Sequence, residues 1–148
     1  MKKALLIASA LLMFTFIGCC PCRLSTKSTS QNLANSEWRL EQLTGTDFRL
    51  DRSSTYTLRF AEDGGLSGDV SCNKLLGGYS YDREQRTLKL TPSGTTMMMC
   101  PDDSHTGAWL KSLEQVSSYE REGQRLMLFA DGELVAILKL AIKADRPL

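Results

Sequence analysis

Short segments in which apolar and polar residues alternate, separated by glycine-containing turns, most constrain how this chain can fold. Tyr56, Leu58 and Phe60 alternate with polar residues, and the Asp63-Gly64 pair that follows is a strong hairpin signal. The other strand-like segments are residues 38–43, 66–71, 78–82, 87–91, 125–129 and 133–140. The sequence lacks strand–helix–strand alternation, so antiparallel strands are expected. We therefore predict a mostly β (α+β) fold, an antiparallel sheet curled into a half-open barrel with one packed helix.

One stretch has helical spacing instead. Trp109, Leu113 and Val116 recur at intervals that place them on one face of a helix. The preceding residues 101–104 (Pro-Asp-Asp-Ser) carry side chains that cap helix N-termini, so the helix is predicted to start near Asp103. We expect about three or four turns, close to the average length, with the apolar stripe against the sheet.

The N-terminus has the organisation of an export signal. After Met-Lys-Lys, an uncharged apolar run occupies residues 4–18, which is the pattern of a secretory signal peptide. Residues 16–19 (Phe-Ile-Gly-Cys) resemble the lipobox of bacterial lipoproteins. This resemblance implies that residues 1–18 are removed and that Cys19 receives a diacylglycerol. An uncleaved membrane anchor is the alternative, although the uncharged run at residues 4–22 only just reaches the roughly 20 residues of a spanning helix.

The folded domain is predicted to occupy residues 36–141, between two segments that do not contribute to a core. Residues 19–35 are polar and rich in Ser and Thr, so they are expected to form a flexible tether between the lipid and the domain. Residues 142–148 are predicted to be an unstructured tail. Without its two N-terminal lysines the mature chain is close to neutral. This balance argues against nucleic acid as a partner, which would require a basic patch.

Four cysteines remain if Cys19 is acylated, and export places them where disulfides are allowed. They permit three complete pairings. We favour a bridge between Cys72 and Cys100, because Cys20 and Cys22 lie together in the tether. Closing a loop of this size stabilises a fold by about 3.5 kcal/mol on the chain-entropy account. The alternative is that Cys72 and Cys100 are buried free thiols.

Several motifs occur in an order that resembles the META/HslJ-like domain family. They are Glu-Trp-Arg-Leu at residues 37–40, Gly68-x-x-Ser-Cys72-Asn73, Gly78-Tyr79, Thr96-Met-Met-Met-Cys100-Pro101, the helical Leu110-x-x-Leu113-x-x-Val116-x-x-Tyr119, Leu126-x-Leu128 and Asp131-Gly132. The Cys-Asn and Thr-x-Met-x-Cys motifs in this order are the most specific part. The family motif residues carried over to this chain are Gly68, Cys72, Asn73, Thr96, Met98 and Cys100. The family usually has Gly where Ser71 stands, and a basic residue is common where Met97 stands.

The resemblance implies a location and a role as well as a fold. Members are described as exported proteins or envelope lipoproteins, some of them linked with heat shock and with resistance to the antibiotic novobiocin. Their fold is similar to that of lipoproteins that assist outer-membrane secretion channels. For this chain the resemblance implies a lipid-anchored envelope protein, on the periplasmic face of the outer membrane, with an unidentified envelope protein as its partner.

The residues offer little for catalysis or metal binding. His105 is the single histidine and lies at the predicted helix start, where nothing marks it as a general base. Met97, Met98 and Met99 carry thioethers that suit Cu(I). We expect them instead to pack beside Cys100, because methionine fills irregular core gaps. No catalytic residue, cofactor or metal is therefore predicted, and the protein is not expected to be an enzyme.

Backbone conformation accounts for the remaining motif residues. Gly68, Gly77 and Gly78 are expected at a bulge, a bend or a position with positive φ. Asn73 suits a turn in which its side chain bonds the local backbone.

Two functions follow as expectations. The first is a non-enzymatic envelope protein that contributes to stress tolerance or assembly through protein contacts. The alternative is a small-molecule or lipid-binding module that uses the cavity of an open barrel. The oligomeric state is not determined by these patterns.

Overall fold

A computed structural model describes residues 32–48, 55–101 and 104–141 of the 148-residue chain. These residues form nine elements in chain order: β1 (Ser36–Leu43), β2 (Thr57–Phe60), β3 (Gly65–Val70), β4 (Asn73–Asp82), β5 (Thr87–Thr95), α1 (Thr106–Gln115), β6 (Ser118–Glu122), β7 (Arg125–Ala130) and β8 (Glu133–Leu140). The predicted signal peptide, the lipidation site Cys19, residues 19–31 of the predicted tether, Asp102, Asp103 and the tail at residues 142–148 lie outside them. Residues 32–35 of the predicted tether are described, and Leu33 is fully buried in the core, so the prediction that this part of the tether does not contribute to a core is wrong. Within the described ranges, no helix combines the length and apolar character needed to cross a membrane.

The eight strands are hydrogen bonded in sequence order into a ring, each antiparallel to its neighbours. β8 returns to β1, where Trp38 lies opposite Leu140 and Leu40 opposite Leu138. The seam between β5 and β6 is much shorter, since it is formed by the single pair Thr87 and Ser118. The helix joins these two strands in the chain and packs against β5. The predicted mostly β, half-open barrel with one packed helix is therefore confirmed.

The inside of the ring is filled with large side chains. Trp38, Phe60, Trp109, Leu113 and Tyr119 are fully buried in one continuous apolar cluster. The helix contributes two of these side chains, Trp109 and Leu113, to the cluster. Small barrels commonly fill their interior with side chains in this way. The described strands and helix thus enclose a packed core. The alternating apolar residues of the strands supply most of its side chains.

The helix differs from its prediction at both ends. It begins at Thr106, three residues later than predicted, and its first intrahelical bond runs from Trp109 N to the carbonyl of His105 (2.9 Å). Val116 leaves the helix with φ −59° and ψ 125°. Tyr119 was included in the predicted helical spacing. It lies instead in β6, a strand that was not predicted, opposite Leu128 of β7. The apolar spacing gave a wrong helix end because Val116 and Tyr119 still face the core after the helix has ended.

Two strands, β4 and β5, extend at least four residues beyond their predicted segments. β4 starts at Asn73, five residues before the predicted segment, and β5 continues to Thr95 through Pro92 and Gly94. The two strands remain paired past an irregularity, where Gly77 lies opposite Pro92 and Leu76 opposite Gly94. A Cβ atom on Gly77 would lie 2.4 Å from the carbonyl oxygen of Thr91. Glycine is therefore required at this bulge by close backbone approach, as one of the predicted reasons had it.

Candidate functional site

Residues 96–100, which we call the methionine segment, follow β5 without forming a helix or strand. Thr96 begins the segment and is held by β4. Its backbone N–H donates to the carbonyl of Lys74 (3.0 Å), and its hydroxyl accepts from the N–H of Lys74 (2.9 Å). The start of the segment is therefore an extension of the β4–β5 ladder, in which one side chain has replaced a backbone carbonyl.

The other end of the segment is fixed by a covalent bond. Cys100 forms a disulfide with Cys72, with 5.6 Å between the two Cα atoms. The predicted bridge is thus present in the structure. It joins the turn between β3 and β4 to the end of the methionine segment, across 28 residues of sequence. Ser71, which precedes Cys72 in this turn, has φ of 57°. This left-handed conformation favours glycine, the residue that the family resemblance leads us to expect at this position.

The side chain of Asn73 holds the middle of the segment. Its Oδ1 accepts hydrogen bonds from Met98 N (2.6 Å) and from the Thr96 hydroxyl (3.0 Å), and its Nδ2 donates to the Met98 carbonyl (3.1 Å). Nδ2 also lies 3.2 Å from Cys100 Sγ. Asn73 is 6% exposed, so these bonds are largely shielded from water.

The Asn73 amide therefore accepts from the N–H of Met98 and donates to its carbonyl. These are the two bonds that a neighbouring strand would make with Met98, so the side chain takes the place of a strand there. The prediction of a local turn role for Asn73 is therefore wrong. The residue begins β4, and its partners lie some 25 residues further along the chain. A carboxamide is the side chain best suited to this task, since it carries a donor and an acceptor in a peptide-like arrangement.

The three methionines project away from the core. Met97 is 96% exposed, Met98 56% and Met99 100%, and Leu76 on β4 is 61% exposed. The expectation that the methionines pack in the core beside Cys100 is therefore wrong. Their backbone is held by Asn73 and by the disulfide, while the ring interior is already filled by aromatic and leucine side chains. We call Leu76, Met97, Met98 and Met99 the methionine patch; among the described residues these are the exposed large apolar side chains.

Five of the six family motif residues meet at this site: Cys72, Asn73, Thr96, Met98 and Cys100. The sixth, Gly68, lies in β3 opposite Leu75 and meets a packing requirement. A Cβ atom there would lie 2.0 Å from the carbonyl oxygen of Thr57. Five motif residues therefore fix the methionine segment to the barrel. The sixth, Gly68, allows the backbones of β2 and β3 to approach closely.

His105 occupies a different part of the molecule, at the N-cap position of α1. Its ring meets the ring of Phe48 edge to face at 5.3 Å, and its Nε2 lies 3.8 Å from the exposed carboxylate of Asp47. In the ranges 32–48, 55–101 and 104–141, no three or more His, Cys, Asp and Glu side chains are grouped so as to hold a metal. The histidine contacts a ring and a solvent-exposed acid, which is the setting of a structural residue.

A broad, open cleft of about 470 Å³ lies at the other end of β4, between the β4–β5 turn and the end of the helix; Tyr81, Leu88, Glu114 and Val116 are among its lining residues. Near it, burial and the neighbouring Tyr81 raise the pKa of Tyr119. Burial also raises the pKa of Tyr79, whose hydroxyl donates to the carbonyl of Ala61 (2.6 Å). The raised pKa keeps both tyrosine hydroxyls neutral near pH 7.

Leu76 is the part of the methionine patch that the sequence reasoning missed. It follows the buried Leu75 in a strand, and successive strand residues face opposite sides of a sheet. Two adjacent leucines in a strand therefore place one of them outside the core. Recognition of β4 from Asn73 onward would have revealed this exposed leucine.

Comparison with known proteins places the chain in a family. The model of the META domain family matches residues 31–141. Among solved structures, a protein from Burkholderia xenovorans is similar with a TM-score of 0.59 and 23% identity, over 75% of this chain and 85% of the other. A DUF4847 family protein from Bacteroides vulgatus is similar with a TM-score of 0.56 and 14% identity, over 76% of this chain and 96% of the other. Both likenesses concern the fold alone.

No curated protein matches the chain. The family match nevertheless covers the whole ring of strands together with Cys72, Asn73 and the methionine segment. Because this match extends over most of the sequence, the chain belongs to the META domain family.

Proposed function

We propose that this protein is a non-enzymatic, lipid-anchored component of the bacterial cell envelope that contributes to stress tolerance or assembly through protein contacts. The contact surface in this proposal is the methionine patch, and the partner is the apolar surface of another envelope protein. The observation that carries the proposal is the exposure of Met97 and Met99 on a backbone fixed by a disulfide and by Asn73.

The anchoring part of the proposal rests on the N-terminal sequence. The apolar run at residues 4–18 and the lipobox ending at Cys19 support export and lipidation. The bridge between Cys72 and Cys100 agrees with an oxidising compartment outside the cytoplasm. Each buried acyl CH₂ contributes about 0.8 kcal/mol, so two or three chains on Cys19 would hold the protein on a membrane. The periplasmic face of the outer membrane is the proposed location.

The exposure of the patch supports protein contacts on energetic grounds. Burying a large apolar side chain contributes about 1.5–3 kcal/mol relative to leaving it in water. In the part of the chain that the structure describes, four such side chains lie outside the core. A backbone that is already fixed loses little conformational freedom on binding. Methionine side chains are unbranched and polarisable, so they adapt to an apolar partner surface. The patch therefore combines a rigid backbone with adaptable side chains.

The position of the patch favours a protein, and not the anchoring membrane, as the surface that the patch contacts. The described chain begins at Asn32, whose Oδ1 accepts a hydrogen bond from the hydroxyl of Tyr81 (2.8 Å). Tyr81 lies near one end of β4, and Asn73 opens the strand at the other. Eight residues of strand separate them, which is about 26 Å. The end of the domain that continues into the proposed tether is therefore remote from the patch.

The core supports this choice over the ligand-binding alternative. The inside of the ring holds Trp38, Phe60, Trp109 and Tyr119 rather than a free cavity in its described part. The methionine patch is a surface, and its chemistry suits the side chains of another protein. We therefore favour protein contacts over ligand binding as the function of this domain.

Lipidation is tested by metabolic labelling. Cells that express the protein with labelled palmitate are expected to yield a labelled protein, and the Cys19→Ser variant is expected to be unlabelled and released from membranes. A wild-type protein without label, or a Cys19→Ser variant that keeps it, would show that the anchor is wrong. A Cys22→Ser variant is the matched control, because it leaves the lipobox intact.

The contact surface is tested by photo-crosslinking in intact cells. A photoreactive amino acid at Leu76 is expected to give discrete protein adducts, while the same amino acid at Glu84, an exposed residue of the β4–β5 turn, gives none of them. Adding Met97→Gln and Met99→Gln to the Leu76 probe is expected to abolish the adducts. Adducts that are unchanged by these substitutions, or crosslinks to lipid alone, would contradict a protein-contact role for the patch.

A further inference from the structure

The methionine segment concentrates sulfur in one place. The sulfurs of Cys72 and Cys100 are already oxidised to a disulfide, which leaves the thioethers as its oxidisable atoms. Met97 and Met99 are almost fully exposed, Met98 is about half exposed, and Met127 in β7 is partly buried. A dissolved oxidant therefore meets the thioethers of Met97 and Met99 before that of Met127.

We propose that Met97 and Met99 are a modification site for two-electron oxidants of the hypohalous acid class, and that their conversion to sulfoxides releases the partner from the methionine patch. The release rests on the proposed function, whereas the modification does not. Methionine sulfoxide can be reduced again enzymatically, so the change is reversible in principle.

The reaction balances with hypohalous acid as the oxidant. The thioether sulfur supplies an electron pair, the oxygen–halogen bond breaks, and a sulfur–oxygen bond forms. The halide leaves with the electron pair of the broken bond, and the hydroxyl proton passes to water. Sulfur is oxidised by two electrons and the halogen is reduced by two.

The hydrogen bonds of the segment survive this change. Asn73 bonds the backbone N–H and carbonyl of Met98, and the Thr96 hydroxyl, but no methionine side chain. The backbone of the segment is therefore expected to stay in place while the surface of the patch turns from apolar to polar. A sulfoxide is a strong acceptor, and an apolar partner surface leaves it without a donor. An unpaired polar group at an interface weakens binding by about tenfold or more.

The modification is tested on the purified mature protein with a graded dose of hypochlorous acid and peptide mass spectrometry. Met97 and Met99 are expected to reach half oxidation at a dose that leaves Met127 mostly unmodified. Circular dichroism of the same samples is expected to stay unchanged. Oxidation of Met127 at the same dose as Met97 and Met99, or unfolding at that dose, would overturn the modification site.

The release is tested with the Leu76 photo-probe. Oxidant treatment of cells is expected to remove the adducts of the wild-type patch and to leave those of a Met97→Leu, Met99→Leu variant, which is apolar but cannot form sulfoxide at these positions. Adducts that persist on a patch shown by mass spectrometry to be oxidised, or that disappear equally from the leucine variant, would overturn the release. Absence of adducts before oxidation would instead refute the proposed function and the release with it, while the mapped sulfoxides would still decide the modification site.

Discussion

The β7–β8 hairpin and the methionine segment are both well-defined backbone, yet they are ordered in opposite ways. In the hairpin, six residue pairs connect the two strands, and side chains such as Leu126, Leu128 and Leu138 are fully buried. In the methionine segment, one amide side chain and one disulfide take the place of a neighbouring strand, and the apolar side chains face water. A fixed backbone therefore does not require buried side chains when hydrogen bonds and a disulfide hold it.

The largest expected effect concerns the strand ladder. Gly68→Ala places a Cβ atom 2.0 Å from the carbonyl oxygen of Thr57, between two paired backbones that cannot separate without losing hydrogen bonds. We expect a loss of about 4 kcal/mol in the free energy of unfolding, or no folded protein. Urea denaturation followed by tryptophan fluorescence measures it. Gly107→Ala is the matched control, since a Cβ there has no atom within 4 Å, and stability equal to that control would show that β2 and β3 are not so close.

The second effect concerns the covalent part of the segment. Replacing Cys72 and Cys100 together by alanine is expected to lower the free energy of unfolding by about 3.5 kcal/mol, because the unfolded chain regains the freedom of a 28-residue loop. The measurement is urea denaturation of the oxidised wild type and the double variant, with the reduced wild type as a third sample. If reduction and substitution leave the midpoint unchanged, the bridge does not contribute to the fold.

The third effect separates the amide of Asn73 from the disulfide. Asn73→Asp replaces the donor of the Met98 carbonyl by an acceptor in a buried position. We expect a loss of about 2 kcal/mol at neutral pH, within the range for a buried group that loses its partner. Urea denaturation at constant pH measures this loss. Gln85→Glu makes the same chemical change in the exposed β4–β5 turn and is expected to change stability by less than about 0.5 kcal/mol. Equal effects of the two substitutions would contradict the role assigned to Asn73.

The smallest expected effect on stability is the most informative for function. Met97→Gln with Met99→Gln removes two nearly fully exposed apolar side chains, so the free energy of unfolding should change by less than about 0.5 kcal/mol. By contrast, Leu128→Ala in the hairpin removes a fully buried side chain and should cost about 2–5 kcal/mol. Thermal and urea unfolding of both variants provide the comparison. A strongly destabilised methionine variant would mean that these side chains support the fold after all.

The sequence predicted the parts of this molecule that follow local rules. Alternation at Tyr56, Leu58 and Phe60 correctly indicated a strand. The position of the other cysteines in the predicted tether favoured the pair Cys72 and Cys100, which the structure contains, although free thiols remained an alternative. The candidate site was harder to predict, because the exposure of the methionines depends on which side chains already fill the core. The partners of Asn73 lie some 25 residues away, and no local pattern indicates such a distant contact.

The helix shows a second limit of sequence reasoning. Residues at intervals of three or four usually share one face of a helix, and Trp109 and Leu113 do so here. Val116 and Tyr119 continue the same spacing, although the chain has turned into β6 by Tyr119. A closed ring allows this because helix and strand face the same core. The apolar spacing therefore predicted the burial of these residues correctly, but it predicted a helix where the chain forms a strand.

We infer that the backbone of the methionine segment is rigid while its side chains remain in water. Amide hydrogen exchange of Met98, followed by NMR on the oxidised protein, tests it most directly, since this N–H donates to the buried Oδ1 of Asn73. We expect exchange at least about a hundredfold slower than in an unstructured peptide, which corresponds to local opening of about 3 kcal/mol, and faster exchange in Asn73→Ala, which removes the accepting Oδ1. Exchange of the Met98 amide at the unprotected rate in the wild-type protein would contradict the account.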